Sequence, residues 1–140
     1  MTGTERGSTD AKVQSITTSD DVVRARQLAR NLAVSGGLSL VDQTKLVTAA
    51  SELARNTLSY GGGGSMSGLL VERKGRRGVQ LSFTDEGPGI PDLDLALRDG
   101  WSSGSGMGLG LSGARRLVDE FDLRTAVDEG TTVTVVKWVR

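Results

Sequence analysis

Glycine is not spread evenly along this chain: of 20 glycines in 140 residues, four stand together at Gly61–Gly64 and five fall between Gly100 and Gly110. The content is about twice the usual ~7%, and clustering without a three-residue period excludes collagen and marks special loops. The second cluster, Gly104-Ser105-Gly106-Met107-Gly108-Leu109-Gly110-Leu111, runs straight into Ala114, Leu117 and Val118 at helical spacing, which predicts a helix from about Leu109 to Glu120. Backbone N–H groups of such a loop and of a helix N-terminus converge on an anion, so phosphate is the natural ligand, and without one the loop is expected to be mobile. Two phosphate motifs fail their own tests. No Lys-Ser/Thr pair follows the glycines, and the strand and βαβ context of a dinucleotide fold are missing. Taken by itself the segment also fits a flexible linker.

Around the loop the hydrophobic pattern predicts a two-layer fold. Residues 1–10 carry no pattern that offsets ordering entropy and read as a disordered tail, leaving 11–140 as one domain. A strand is predicted from Val13 to Thr18. Ser19 before Asp20 and Asp21 predicts a helix start, and Gly36 and Gly37 its end. A second helix opens at Ser39, with Asp42 as a short variant of the capping box, and runs to about Leu58 before the Gly61–Gly64 run. Strands at Gly68–Arg73 and Gly78–Thr84, joined by Lys74-Gly75-Arg76-Arg77, form a predicted hairpin. Pro88 and Pro91 close it, and a short helix at Leu93–Arg98 precedes the glycine loop. Strands at Asp122–Val127 and Thr131–Val139, with the turn Asp128-Glu129-Gly130 between them, complete the order. Strands grouped mostly into hairpins predict an α/β two-layer sandwich, with a largely antiparallel sheet and helices on one face.

Composition narrows the chemistry. With no His and no Cys, thiolate nucleophiles, Ser-His-Asp triads, disulfides and almost every zinc site are excluded. Lys and Arg (17) balance Asp and Glu (17), which argues against a dedicated nucleic-acid or anionic-membrane binder. The first ten residues hold no apolar core of a signal peptide, and no run of 18 apolar residues occurs, so a cytoplasmic protein is expected. The Arg73-Lys74-Arg76-Arg77 cluster reads as a soluble hairpin tip, with an acidic partner as the sharper alternative. Trp138 is expected to pack in or beside the sheet, and Arg55, about 100° around the helix from Asn56, to face solvent or a partner.

Two further motifs carry candidate chemistry. Glu52-Leu53-Ala54-Arg55-Asn56 places a carboxylate and an amide one turn apart on one helix face. The carboxylate suits proton acceptance from a hydroxyl, and the amide oxygen suits Mg²⁺, although such a pair is more often a solvated face. Asp85-Glu86-Gly87-Pro88-Gly89 follows the alternating Val79, Leu81 and Phe83, so Asp85 is expected at the lip of a pocket floored by the sheet, ready to accept from an exocyclic amine. An ordinary turn is the plainer reading of those residues.

In this order and at these separations, E-x-x-x-N, D-x-G-x-G and G-x-G-x-G-L resemble the N, G1 and G2 boxes of the GHKL ATPase and kinase superfamily, whose ATP site is the Bergerat fold. The resemblance covers nearly the whole chain from Val13 onward. It implies that Asp85 binds the adenine amine, that Asn56 holds Mg²⁺, and that the glycine loop closes over the phosphates of ATP. The nucleotide-binding set it implies is Asn56, Asp85, Gly87, Gly89, Ile90, Gly104, Ser105, Gly106, Met107, Gly108, Leu109 and Gly110, with Thr132 from the terminal Gly-Thr-Thr-Val stretch. SLVDQTKLVTAASELARN, TDEGPGIPD, GMGLGLSGARRLVDEF and GTTVTVVKW look most like the small stand-alone anti-sigma regulatory kinases, in keeping with the missing phospho-accepting His. That group implies phosphorylation of Ser or Thr on a STAS-domain partner with Glu52 as base, and activation of a PP2C-type phosphatase by the freed kinase. The alternative is an ATP-binding anti-sigma factor or adaptor with little turnover. Members that bind a sigma factor directly carry a lid arginine, absent here from Trp101-Ser102-Ser103-Gly104-Ser105. Another cation must then meet the transferring phosphoryl group, with Mg²⁺, Arg55 or a partner residue as candidates. Monomer and homodimer stay open.

Overall fold

The computed structural model describes residues 11–89 and 110–140. The expected tail, the short helix at Leu93–Arg98, Trp101, Ile90 and the loop from Gly104 to Leu109 lie outside them. In chain order the elements are β1 (Lys12–Ile16), α1 (Ser19–Gly36), α2 (Leu40–Ser59), β2 (Gly64–Arg73), β3 (Arg76–Asp85), α3 (Leu111–Leu117), β4 (Glu120–Thr125) and β5 (Thr131–Trp138). The strands form one sheet in the order β1-β2-β3-β5-β4, and every neighbouring pair is antiparallel. The helices pack on one side of it.

The sheet's period of two decides which residues meet the helices. Val79, Leu81 and Phe83 of β3 and Val133 and Val135 of β5 are buried, with Leu46, Leu53 and the small Ala49, Ala50 and Ala54 of α2 above them. Alanines on α2 let helix and sheet approach closely.

Caps refine the predicted boundaries. The α1 N-cap is Thr18, not Ser19: its side chain accepts from Asp21 N (3.2 Å), and Asp21 Oδ2 accepts from the Thr18 and Thr17 amides (3.2 and 3.0 Å). An acid at the third helical position reaches back to the residue three before it, so Asp21 selects Thr18. At the other end Gly37, at φ 88°, donates to Val34 O while Leu38 N donates to Ala33 O, the paired bonds of a Schellman stop. Ser39 caps α2 through Asp42 N (3.2 Å). Only half a capping box forms there, because the Asp42 carboxylate turns away to Lys137 Nζ (3.6 Å) and Arg140 Nε (3.6 Å). Lys137 is 3% exposed and also meets Asp119 Oδ1 at 3.8 Å, and Arg140 pairs with Asp119 as well, so two carboxylates and two cations close this end of the sandwich.

α3 is shorter than its apolar spacing predicts. Val118 is extended, Asp119 N bonds Val136 O (2.9 Å), and Glu120 already belongs to β4. Sheet pairing captures these residues before the helix can continue. β2 and β3 are longer than expected, since Gly64 and Ser65 pair with Asp85 and Thr84, and Arg76 pairs with Arg73 across a two-residue turn.

Candidate nucleotide site

One end of the sandwich opens into a small cleft lined by Leu53, Asn56 and Thr57 of α2, Tyr60 at its C-cap, Phe83 and Asp85 of β3, Leu111 of α3, and Thr131 and Val133 of β5. Its walls are apolar, and among the described residues Asp85 is the only carboxylate in that lining. Asp85 is the last residue of β3, so the strand delivers its side chain where the sheet ends. Burial raises its pKa, and the Gly87 and Thr131 amides partly offset that by favouring the carboxylate. Gly87 N donates to Oδ1 (2.9 Å). A carboxylate has about four acceptor sites, so capacity remains for a donor entering the cleft.

Two glycines shape this corner. A Cβ at Gly61 would stand 2.5 Å from Asp85 Oδ2, so the chain after α2 passes directly against the carboxylate. Gly89 adopts φ +78° and lies against Ala126 O, where no side chain fits, while its own carbonyl accepts from Tyr60 Oη (3.1 Å). Tyr60 thereby ties the end of α2 to the segment after Asp85.

Glu52 and Asn56 stand one turn apart on α2, Asn56 in the cleft lining and Glu52 nearer the point where the glycine loop returns. A Cβ at Gly110, the residue that caps α3 at φ 67°, would lie 2.6 Å from Glu52 Oε1. Arg55 is exposed, as expected, and folds along its helix: its Nη2 donates to Glu52 Oε2 (2.8 Å) and its Nη1 to Ser51 Oγ (2.9 Å). The long side chain reaches back along the helix to Glu52, while its Cα stays about 100° around the helix from Asn56.

The cleft therefore gathers Asn56 and Asp85, with Glu52 and Gly110 beside its mouth and Gly87 on the Asp85 carboxylate. Ile90, Gly104, Ser105, Gly106, Met107, Gly108 and Leu109 lie outside the described residues. Thr132 needs correction. It pairs with Thr84 and Arg124 on the sheet face away from the helices, its Oγ1 3.3 Å from that of Thr84, and Thr131 faces the cleft instead. A one-residue step along a strand reverses the face. Sequence reasoning missed Thr131, Tyr60, Thr57 and Gly61. Parity with Val133 and Val135 would have found Thr131, and the i+4 step from Asn56 would have found Tyr60.

An apolar cleft with the Asp85 carboxylate in its lining suits a heterocycle that carries an exocyclic amine. Residues 41–139 match the family model of the histidine kinase-, DNA gyrase B- and HSP90-like ATPases. The chain belongs to this ATPase family. Among its relatives, the serine/threonine-protein kinase RsbT of Bacillus subtilis (strain 168) is 45% identical over 125 residues, 89% of this chain and 94% of RsbT. The adaptive-response sensory kinase SasA of Synechococcus sp. (strain CC9311) is 35% identical over 86 residues, 56% of this chain but 22% of that longer kinase. The antiparallel sheet with helices on one side agrees with the expected ATPase fold. The family and the kinase relative imply that the chain uses ATP. Among the described residues no group of three or more His, Cys, Asp or Glu side chains could hold a metal by itself. An amide oxygen such as that of Asn56 in the cleft lining is a hard donor of the kind that Mg²⁺ accepts. No helix among the described residues is long and apolar enough to cross a membrane.

Proposed function

We propose that this chain is an ATP- and Mg²⁺-dependent protein serine/threonine kinase of the RsbT type, acting in the cytoplasm on a STAS-domain antagonist. Once its substrate is phosphorylated, the freed kinase binds and activates a PP2C-type phosphatase in a stress or sigma-factor pathway. The single observation that carries the reading is the Asp85 cleft, in a chain that aligns with nearly all of RsbT.

In this reading Asp85 accepts from the adenine amine and so selects ATP over nucleotides that present a carbonyl there. Leu53, Phe83, Leu111 and Val133 bury the ring and exclude water from it. Asn56 holds Mg²⁺, which supplies charge neutralisation at the phosphates. Glu52 takes the proton of the acceptor hydroxyl as its oxygen forms a bond to the γ-phosphorus and the bond from that phosphorus to the ADP oxygen breaks. The Gly104–Gly110 loop closes over the phosphates, Ile90 belongs to the nucleotide-binding set, and Arg55, already on Glu52, holds that base oriented.

The test is a single-turnover reaction of γ-labelled ATP, Mg²⁺ and the STAS protein with parent and Glu52→Gln chains. Label on Ser or Thr of the partner, lost with Glu52→Gln while ATP still binds, supports the kinase. ATP-dependent complex formation without transfer of label would replace it with an anti-sigma factor or adaptor.

A further inference from the structure

The turn between β2 and β3 carries a concentration of cations that the nucleotide cleft does not use. Arg73 and Arg76 are register partners, joined by Lys74 and Gly75 at φ 55° and 77°, a two-residue turn that suits the strand twist. Like charges directly opposite one another destabilise a ladder. Here one aromatic ring relieves them: the guanidinium carbons of Arg73 and Arg76 lie 4.9 and 5.6 Å from the centroid of Trp138, within cation–π range.

The ring is itself fixed on three sides. Gly78 is the register partner of Trp138, and a Cβ there would stand 2.6 Å from Trp138 Cε3, so the missing side chain lets the indole lie down on the sheet. Trp138 Nε1 donates to Glu120 Oε2 (2.9 Å), the oxygen that also accepts from Arg73 Nη1 (2.8 Å). The indole is 4% exposed, with the guanidinium groups over it. An arginine held on such a platform has already lost much of its rotamer freedom, so less is lost when it meets a carboxylate.

Charge balance shows what is missing at this tip. Arg73 has Glu120 and Arg77 stands opposite Glu72 in the register, whereas Lys74 and Arg76 are exposed and form no ion pair among the described residues. In a chain with 17 positive and 17 negative residues that is a local excess. Edge protection does not account for it, because Arg76 and Arg77 lie on β3, between β2 and β5.

We infer that the β2–β3 hairpin tip is a docking surface for an acidic segment of a protein partner, with Lys74 and Arg76 meeting its carboxylates and Trp138 holding Arg73 and Arg76 in place. That the partner is a protein rests on the kinase reading above; the charge excess stands without it. The tip is at the opposite end of β3 from Asp85, so a docked partner leaves the cleft open. A single-stranded nucleic acid fits less well, since the one aromatic ring here is covered by cations and offers no face for a base.

The test titrates the whole ¹⁵N-labelled protein with an oligoglutamate peptide, an oligolysine control and a single-stranded oligonucleotide, following the Trp138 indole N–H and the amides of Arg73–Arg77. Oligoglutamate should move these resonances saturably and less so as salt is added, and Lys74→Glu/Arg76→Glu should weaken the binding about tenfold while ATP binds as in the parent. Lys74→Glu alone, at the turn, serves if the double variant does not fold. Unmoved resonances would overturn the proposal, as would shifts that survive charge reversal or an oligonucleotide that binds more tightly than oligoglutamate at the same salt. ATP titration of the same samples reports separately on the cleft: lost ATP binding with intact peptide binding would remove the kinase reading and leave the docking surface.

Discussion

Gly61 and Asp85 are in such close contact that one methyl group at position 61 would stand 2.5 Å from the Asp85 carboxylate oxygen Oδ2. The end of α2 therefore sets the position of the Asp85 carboxylate as directly as β3 does. Gly61→Ala is expected to push the Asp85 side chain from its place, weakening ATP binding about tenfold or more, with a stability loss of about 1–3 kcal/mol from overpacking. Calorimetric titration with ATP and thermal melting of the same samples check both.

Asp85 also makes a prediction about acid. Burial raises its pKa, so the folded protein binds this proton more tightly than the unfolded chain, and ionising Asp85 works against the fold as pH rises through the usual Asp range. ATP affinity runs the other way, because only the carboxylate accepts fully from the adenine amine. On acidification ATP binding should fall at a pH above that expected of an ordinary Asp. Asp85→Asn should abolish ATP binding at neutral pH while melting no lower than the parent. Titrations and melts across an acid series would measure the two trends, and loss of both functions together would contradict the assignment.

Arg55 lies on Glu52, at 2.8 Å, but both side chains are well exposed. Stability should hardly notice its removal: Arg55→Ala is expected to change unfolding free energy by less than about 0.5 kcal/mol. Phosphotransfer should slow about tenfold with ATP affinity unchanged, since a base that has lost its orienting partner is misaligned for proton transfer. Rapid-quench rates beside an ATP titration separate the effects, and Arg55→Lys should recover part of the rate.

At the other end of the sandwich, Lys137→Ala would leave Asp42 and Asp119 without their buried cation. Breaking such a pair is expected to lower stability by about 3 kcal/mol, or roughly 10 °C in melting temperature for a domain of this size. Burial opposes ionisation of Asp119, but the Trp138 amide, Lys137 and Arg140 outweigh it and lower its pKa. Its contribution is therefore present above the ordinary Asp range and is lost as pH falls through the depressed value. In Lys137→Ala the acid limb of the stability profile should move to higher pH, as urea titrations at stepped pH would show.

Much of the architecture was legible because local signals and global packing agree. Alternating Val79, Leu81 and Phe83, the glycine stop at Gly37 and the cap at Ser39 each name their element without help from distant residues. Errors fell where a long-range partner decides. β5 looks the same to either side of Thr131 and Thr132 until β3 and β4 fix which face meets the helices. α3 stops early because Asp119 joins Val136, a pairing no local pattern reports. In the cleft, Asp85 and Asn56 were readable from motif spacing, whereas Tyr60, Thr57 and Thr131 contribute through position alone. Arg55 is exposed, as its place on the helical wheel indicates, but the wheel does not record that its guanidinium folds back to Glu52.

One strand, β3, starts at Arg76 and ends at Asp85. At ~3.3 Å per residue its ends are separated by roughly 30 Å, several times the Debye length of about 8 Å at physiological salt. Charge can be gained or lost at the hairpin without changing the field at the nucleotide carboxylate. Selection can thus retune one end in a duplicated copy of this chain while the other is inherited unchanged, so relatives that share the cleft are free to diverge in what they recognise.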